Sequence, residues 1–188
     1  MPNSNVGKNN VPDSCYYLCA QGVDGQNIFH DENDYQHFCS ILETYLTKGV
    51  ATGRSSASRK KLNDFVEVLA YCLAPNNFHL LLHQIERDGM SKLMNGVIEG
   101  YSNYFYNKYE TAGPIFKNSY KISLIPSDDK LLNTSRDIHL ASDEWLDYPY
   151  SSIRSYLYDD APCWVNKKHI SQLYGSAVKY LEFLKLEK

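Results

Sequence analysis

No stretch of this 188-residue chain reaches the roughly eighteen consecutive apolar residues that a bilayer-spanning helix needs. The Asn-rich start also lacks an apolar signal core, so neither a membrane span nor a secretion signal is supported, and a cytoplasmic location is expected. A basic excess is missing too. The 19 Lys and Arg against 22 Asp and Glu leave a net charge of −3, which argues against a surface built to hold phosphate everywhere. There is no CxxC pair. The five cysteines, Cys15, Cys19, Cys39, Cys72 and Cys163, are odd in number and scattered, which speaks against a thiolate zinc centre and for buried or strand-borne thiols.

What is present is enough apolar content, 43%, for one ordinary core. Residues 1–13 are polar, Asn-rich and without period, and read as a disordered tail. A domain over 14–165 and a helical extension over 166–188 follow. Within the domain, Cys15 to Val23 reads as a strand, closed by Gly22 and the Asp24-Gly25 turn. Asp34 to Leu46 has helical spacing, with acidic residues from Asp31 at its start. Strands are expected over Phe65–Leu73 and Phe78–Gln84, a helix over Met90–Tyr109, a strand over Tyr120–Ile125, and a helix capped by the run Pro126-Ser127-Asp128-Asp129 that extends to about Ala141. Gly96 and Gly100 weaken the long helix, and their spacing predicts close approach to another backbone. This order gives an α+β class with an antiparallel, ferredoxin-like sheet and helices packed on one face.

The most informative segment is Ala70 to Gln84. It reads as an apolar strand, a Pro75-Asn76 turn and a second strand, on which alternation puts Asn77, His79, Leu81 and His83 on one face. His83 lies too far along the strand to share an ion with His79. Local basic groups occur at Arg54, Arg59, Lys60 and Lys61, at Lys117 and Lys121, and at Lys167 and Lys168. Each can be a solvated surface or a local phosphate patch.

Five blocks, in order, resemble the single-tyrosine HUH transposases, in particular the REP-associated tyrosine transposases. They are Gly22–Phe29 with Asp34–Phe38, Pro75–Leu82, Gly113–Phe116 with Tyr120 and Lys121, Ile138–Leu140, and Tyr148–Ser152 with Tyr156 and Leu157. The resemblance implies a domain that cleaves and rejoins single-stranded or hairpin DNA through a phosphotyrosine, with a divalent Mg or Mn held by a His-hydrophobic-His pair.

This chain departs from that pattern at three positions. Asn77 stands in place of the first histidine, Asp137 in place of the nucleophilic tyrosine, and Ala141 in place of a ligating asparagine. His79 is retained, and His139 keeps its place beside the missing tyrosine. The resemblance therefore implies catalytic positions at Asp137 and His139, a weak metal pair at Asn77 and His79, and DNA contacts from Lys117, Tyr120 and Lys121. Arginines expected at 119 and just before Gly22 are Ser119 and Gln21. The tyrosines at 101, 104, 106 and 109 and at 148, 150, 156 and 158 read as packing.

The expected function is binding of structured single-stranded or hairpin DNA with strand transfer impaired. The alternatives are residual metal-dependent nicking through Asn77, His79 and Asp137, and a repurposed interaction domain with no nucleic-acid partner. The apolar residues of 176–188 leave open internal packing or a homodimer contact.

Overall fold

Alternation in the second hairpin strand divides the molecule into two cores. Phe78, Leu80 and Leu82 enter one apolar cluster and Leu81 enters another, because successive side chains leave a strand on opposite faces. The structure, a computed structural model, describes residues 10–47, 61–117 and 120–186. Its elements run β1 (Ser14–Gln21), α1 (Glu32–Leu46), β2 (Val66–Ala74), β3 (Asn77–Gln84), α2 (Gly89–Tyr109), β4 (Lys121–Ile125) and α3 (Asp128–His139). Three short helices follow, α4 (Ile153–Leu157), α5 (Lys168–Tyr174) and α6 (Ala177–Lys185).

The four strands form one antiparallel sheet in the order β2-β3-β1-β4, which is the ferredoxin-like arrangement. Helices α1 and α2 pack on one face, over Tyr16, Leu18, Phe78 and Leu80. The opposite face carries a smaller core in which Leu81, Cys72 and Ile125 meet Leu131 and Ile138 of α3 and Tyr180 and Leu184 of α6. Among the described residues no helix is long and apolar enough to cross a membrane.

Strict alternation fails once, in β2. Its register against β3 slips between Val68 and Ala70, so Leu69 is an extra residue that turns the following side chains over. Val68 therefore joins the α1–α2 core, whereas Leu69, Ala70 and Cys72 join the α3 core. Beyond β2 the sheet edge is covered by the 148–156 segment. Leu73 N–H donates to the Tyr150 carbonyl at 2.9 Å, Ser152 N–H to the Tyr71 carbonyl at 3.0 Å, and the Tyr148 and Tyr156 hydroxyls to Leu73 and Leu69 carbonyls at 2.6 Å each. The Tyr-Pro-Tyr-Ser-Ser block thus serves the fold, because unpaired strand groups left open invite edge-to-edge association.

Helix α1 begins with a reciprocal capping box between Asp31 and Asp34. Gly96 and Gly100 of α2 approach side chains of α1, Tyr45 and Ile41, and not the backbone expected from their spacing. At Gly22 the approach is to backbone: a Cβ there would lie 2.1 Å from the Gln26 carbonyl oxygen. Gly22→Ala is therefore expected to cost about 2 kcal/mol by forcing the turn apart, read from the urea midpoint.

Residues 10–13 are not a loose tail. Asn10 donates to the Asp88 carboxylate at 2.6 Å and accepts from Asp88 N–H at 2.7 Å, and Asp13 reaches His83 at 2.9 Å. The rest of the expected tail, residues 1–9, lies outside the described residues, as do Arg54, Arg59, Lys60 and Ser119. Helix α6 packs internally through Tyr180 and Leu184, while Val178 and Leu186 stay exposed.

Candidate active site and nucleic-acid interface

Strand register brings the retained histidine into a row of functional side chains. Cys19 of β1 sits opposite His79 on one side and Lys121 of β4 on the other, and Cys72 of β2 faces His79 from the far side. Tyr17, two residues before Cys19, shares its face and lies diagonal to His79. Its hydroxyl is 2.7 Å from His79 Nδ1, and the two rings stack at 5.9 Å between centroids. Tyr17 and His79 line one cleft with Ser123, Lys130, Thr134 and Asp137. Helix α3 thus presents Asp137, at the position expected for the nucleophile, to the same cleft as His79.

Electrostatics hold the Tyr17–His79 pair in its uncharged form. Burial lowers the His79 pKa below the ordinary imidazole value, which keeps the ring neutral at pH 7. Burial, Cys19 and the Asp137 carboxylate all push the Tyr17 phenol up. A neutral phenol can donate to Nδ1 or accept from Nδ1–H, and the second arrangement leaves the Nε2 lone pair for an electrophile. The cation implied by the resemblance has one further donor to meet. Asn77 Oδ1 is buried without a hydrogen-bond partner, and its amide nitrogen bonds Asn76 at 2.8 Å. An orphaned carbonyl oxygen is the donor type that Mg or Mn accepts.

His139 stands elsewhere. It is fully buried on the inner side of α3, with Nδ1 at 2.7 Å from the Tyr180 hydroxyl and Nε2 at 2.7 Å from Ser152 Oγ. Both nitrogens are occupied and neither faces the cleft of His79, so its expected catalytic place gives way to a structural one. It ties α3 to Ser152, whose Oγ accepts from Tyr71 N–H at 2.9 Å in β2. Ala141 follows the end of α3 and contributes no donor atom from its side chain.

The residues expected to touch DNA gather at the other end of that cross-strand row. Lys117, Tyr120 and Lys121 line a pocket with Cys19, Ala20 and Gln21. Both lysines are exposed. The Tyr120 ring is half-buried and packs against the α1–α2 core, so most of its aromatic surface is already used. Other basic residues are engaged within the protein: Lys61 donates to the Thr44 carbonyl at 2.8 Å, and Lys167 bonds the Ser155 carbonyl at 3.1 Å and pairs with Asp159.

A metal-capable group does occur among the described residues, away from Asn77 and His79. Glu67, His83 and His169 each offer a ligand atom, and these lie within 4.8 Å of one another. His83 was legible as a member of the site face, whereas Glu67 and His169 were not. Nor does any local signal mark Tyr17. It is one of sixteen tyrosines, and only the β1–β3 register, which no local pattern states, sets it beside His79.

No family model and no curated protein matches the chain. A solved structure of a REP-associated tyrosine transposase bound to a REP hairpin is similar to it over 84% of this chain and 87% of that chain, with a TM-score of 0.56 and 11% identity. The two share a fold, and at that identity fold alone does not carry function.

Proposed function

We propose that this protein binds folded single-stranded DNA, a hairpin with unpaired flanks, across the β4–β1–β3 side of its sheet, and that it forms no tyrosyl-DNA link at residue 137. The carrying observation is the row Lys121–Cys19–His79. Two strand spacings put Lys121 roughly 10 Å from His79, so a phosphate neutralised by Lys117 or Lys121 places the neighbouring phosphodiester at the cleft of His79, Tyr17 and Asp137. The ammonium groups position the backbone and the fold supplies the shape, which suits a chain without overall positive charge. Asp137 cannot take the part of a tyrosine here, because a carboxylate attacking phosphorus would give a labile acyl phosphate and not a stored strand.

One observation favours a second reading, residual hydrolytic nicking. The orphaned Asn77 Oδ1, His79 and the Asp137 carboxylate would together hold Mg or Mn, which when bound would polarise a phosphate oxygen. Gel shifts and denaturing gels of one labelled hairpin separate the readings. Hairpin binding in preference to bulk duplex, with the slope of log affinity against log salt falling by roughly 0.7 for each of Lys117→Ala and Lys121→Ala, is the expected result. Free cleaved strands that vanish in His79→Ala would favour nicking. A covalent adduct that survives denaturation, or the same weak binding to hairpin and bulk DNA, would overturn the proposal; the last outcome points to an interaction domain.

A further inference from the structure

The far end of the same sheet face carries a second group of polar side chains, four residues along β3 from His79. His83 is flanked across the strands by Glu67 of β2 and Cys15 of β1. Its Nδ1 lies 3.2 Å from Glu67 Oε2, and its Nε2 lies 2.9 Å from the Asp13 carboxylate. From α5, His169 brings a second imidazole, 4.9 Å from the His83 ring between centroids and nearly perpendicular to it. The carboxylate of Glu67 is fixed from behind, because Asn166 Nδ2 donates to Oε1 at 2.8 Å and leaves Oε2 toward His83.

We propose that Glu67 Oε2, His83 Nδ1 and a nitrogen of His169 form a binding site for a zinc-type divalent ion, distinct from the cleft of His79. Three observations converge on it. The donor set, two imidazoles and one carboxylate, is the combination that borderline ions such as Zn, Co or Ni take and that Mg does not favour. The Glu67–His83 separation is close to the roughly 3.3 Å edge of a tetrahedron with bonds of about 2.0–2.1 Å. The nitrogen of His83 that does not ligate has its own carboxylate partner in Asp13, the outer arrangement that fixes ring orientation and raises ligand basicity at histidine-bound metals.

The fourth position opens to solvent, since His169 and Asp13 are both exposed. A bound ion would clamp two segments that are remote in sequence, the β2–β3 pair and helix α5, while Asp13 ties the N-terminal approach of β1 to its His83 ligand. The site rests on no assumption about DNA, so it stands or falls apart from the reading above.

Titration of the metal-free full chain with cobalt(II) tests this directly. One cobalt per chain is expected, with the intense visible absorption of a tetrahedral ion, displaced by zinc and not by magnesium. The absorption is lost in Glu67→Gln and in His169→Ala and is unchanged in His79→Ala. Zinc should also raise the unfolding temperature of the parent and of His79→Ala and leave that of His169→Ala unmoved, because an ion that binds only the folded state stabilises it. Persistence of the signal in Glu67→Gln and His169→Ala overturns the site. So does its loss in His79→Ala, a sulfur-to-cobalt charge-transfer band, or the absence of one-to-one binding.

Discussion

Lowering the pH from 6.5 to 4 is expected to remove about 3 kcal/mol of folding stability through His139 alone. Burial pushes this imidazole down to a pKa of about 3, while the unfolded chain titrates near the ordinary value of about 6.5. Below 6.5 the unfolded state therefore takes up a proton that the folded state refuses. The contribution is fully present above the unfolded value and is lost as the pH falls toward 3, at about 1.4 kcal/mol per pH unit. Such a loss is a large part of the 5–15 kcal/mol that typically holds a domain together. Urea denaturation at stepped pH values measures it.

His139→Gln keeps a side chain able to donate and accept, and should flatten most of this slope. His79, also lowered by burial, accounts for a remainder of the same sign. An unchanged acid slope in His139→Gln would show that the imidazole is not buried between Tyr180 and Ser152 in solution.

Substitution of Asp34 should be comparably severe, and Asp34→Asn nearly as harmful as Asp34→Ala. The carboxylate is fully buried and all its partners are donors: His30 N–H at 2.7 Å, Asp31 N–H at 3.3 Å, Tyr109 hydroxyl at 2.7 Å, Tyr104 hydroxyl at 3.0 Å and Lys108 Nζ at 2.6 Å. An amide presents an NH2 group to at least one of those donors, so the isosteric change cannot satisfy them. Loss of a buried charge that leaves a cation and several donors unmatched is expected to cost about 3 kcal/mol, discounted because Lys108 retains some solvent and Asp31.

The pH response of Asp34 has its own window. Burial alone would raise its pKa, but Lys108, the His30 N–H and the two tyrosine hydroxyls outweigh it and hold the group at about 2. Its stabilisation is present above the ordinary carboxylate value and disappears as the pH falls from there through 2. Acid unfolding thus starts with His139 and finishes with Asp34. A change of under 1 kcal/mol in the urea-derived stability of Asp34→Asn would contradict this account of the network joining α1 to the end of α2.

Much of the scaffold was readable because its signals are local. The alternation of Phe78, Leu80 and Leu82 marks β3, the stripe from Met90 to Phe105 marks α2, and the run Pro126-Ser127-Asp128-Asp129 marks the start of α3. Each depends on residues within a turn or two of one another. The short helices α4 and α5 carry too few residues to show a period. The role of the Tyr148–Ser152 block as an edge cover is invisible until β2 is known to be the outer strand.

By itself the sequence determined the order of the four strands and of α1, α2 and α3, the α+β class, the face of β3 that bears Asn77, His79 and His83, and the identities of Asn77, Asp137 and Ala141. Only the tertiary structure decided that Asp137 and His79 share a cleft, that His139 belongs to a buried tie, and that Tyr17, 62 residues from His79 along the chain, bonds it. It alone gathered Glu67, His83 and His169. The physical reason is that backbone periodicity sets which way a side chain points from its own element, whereas strand register and helix placement, fixed by the packing of the whole core, set what it meets.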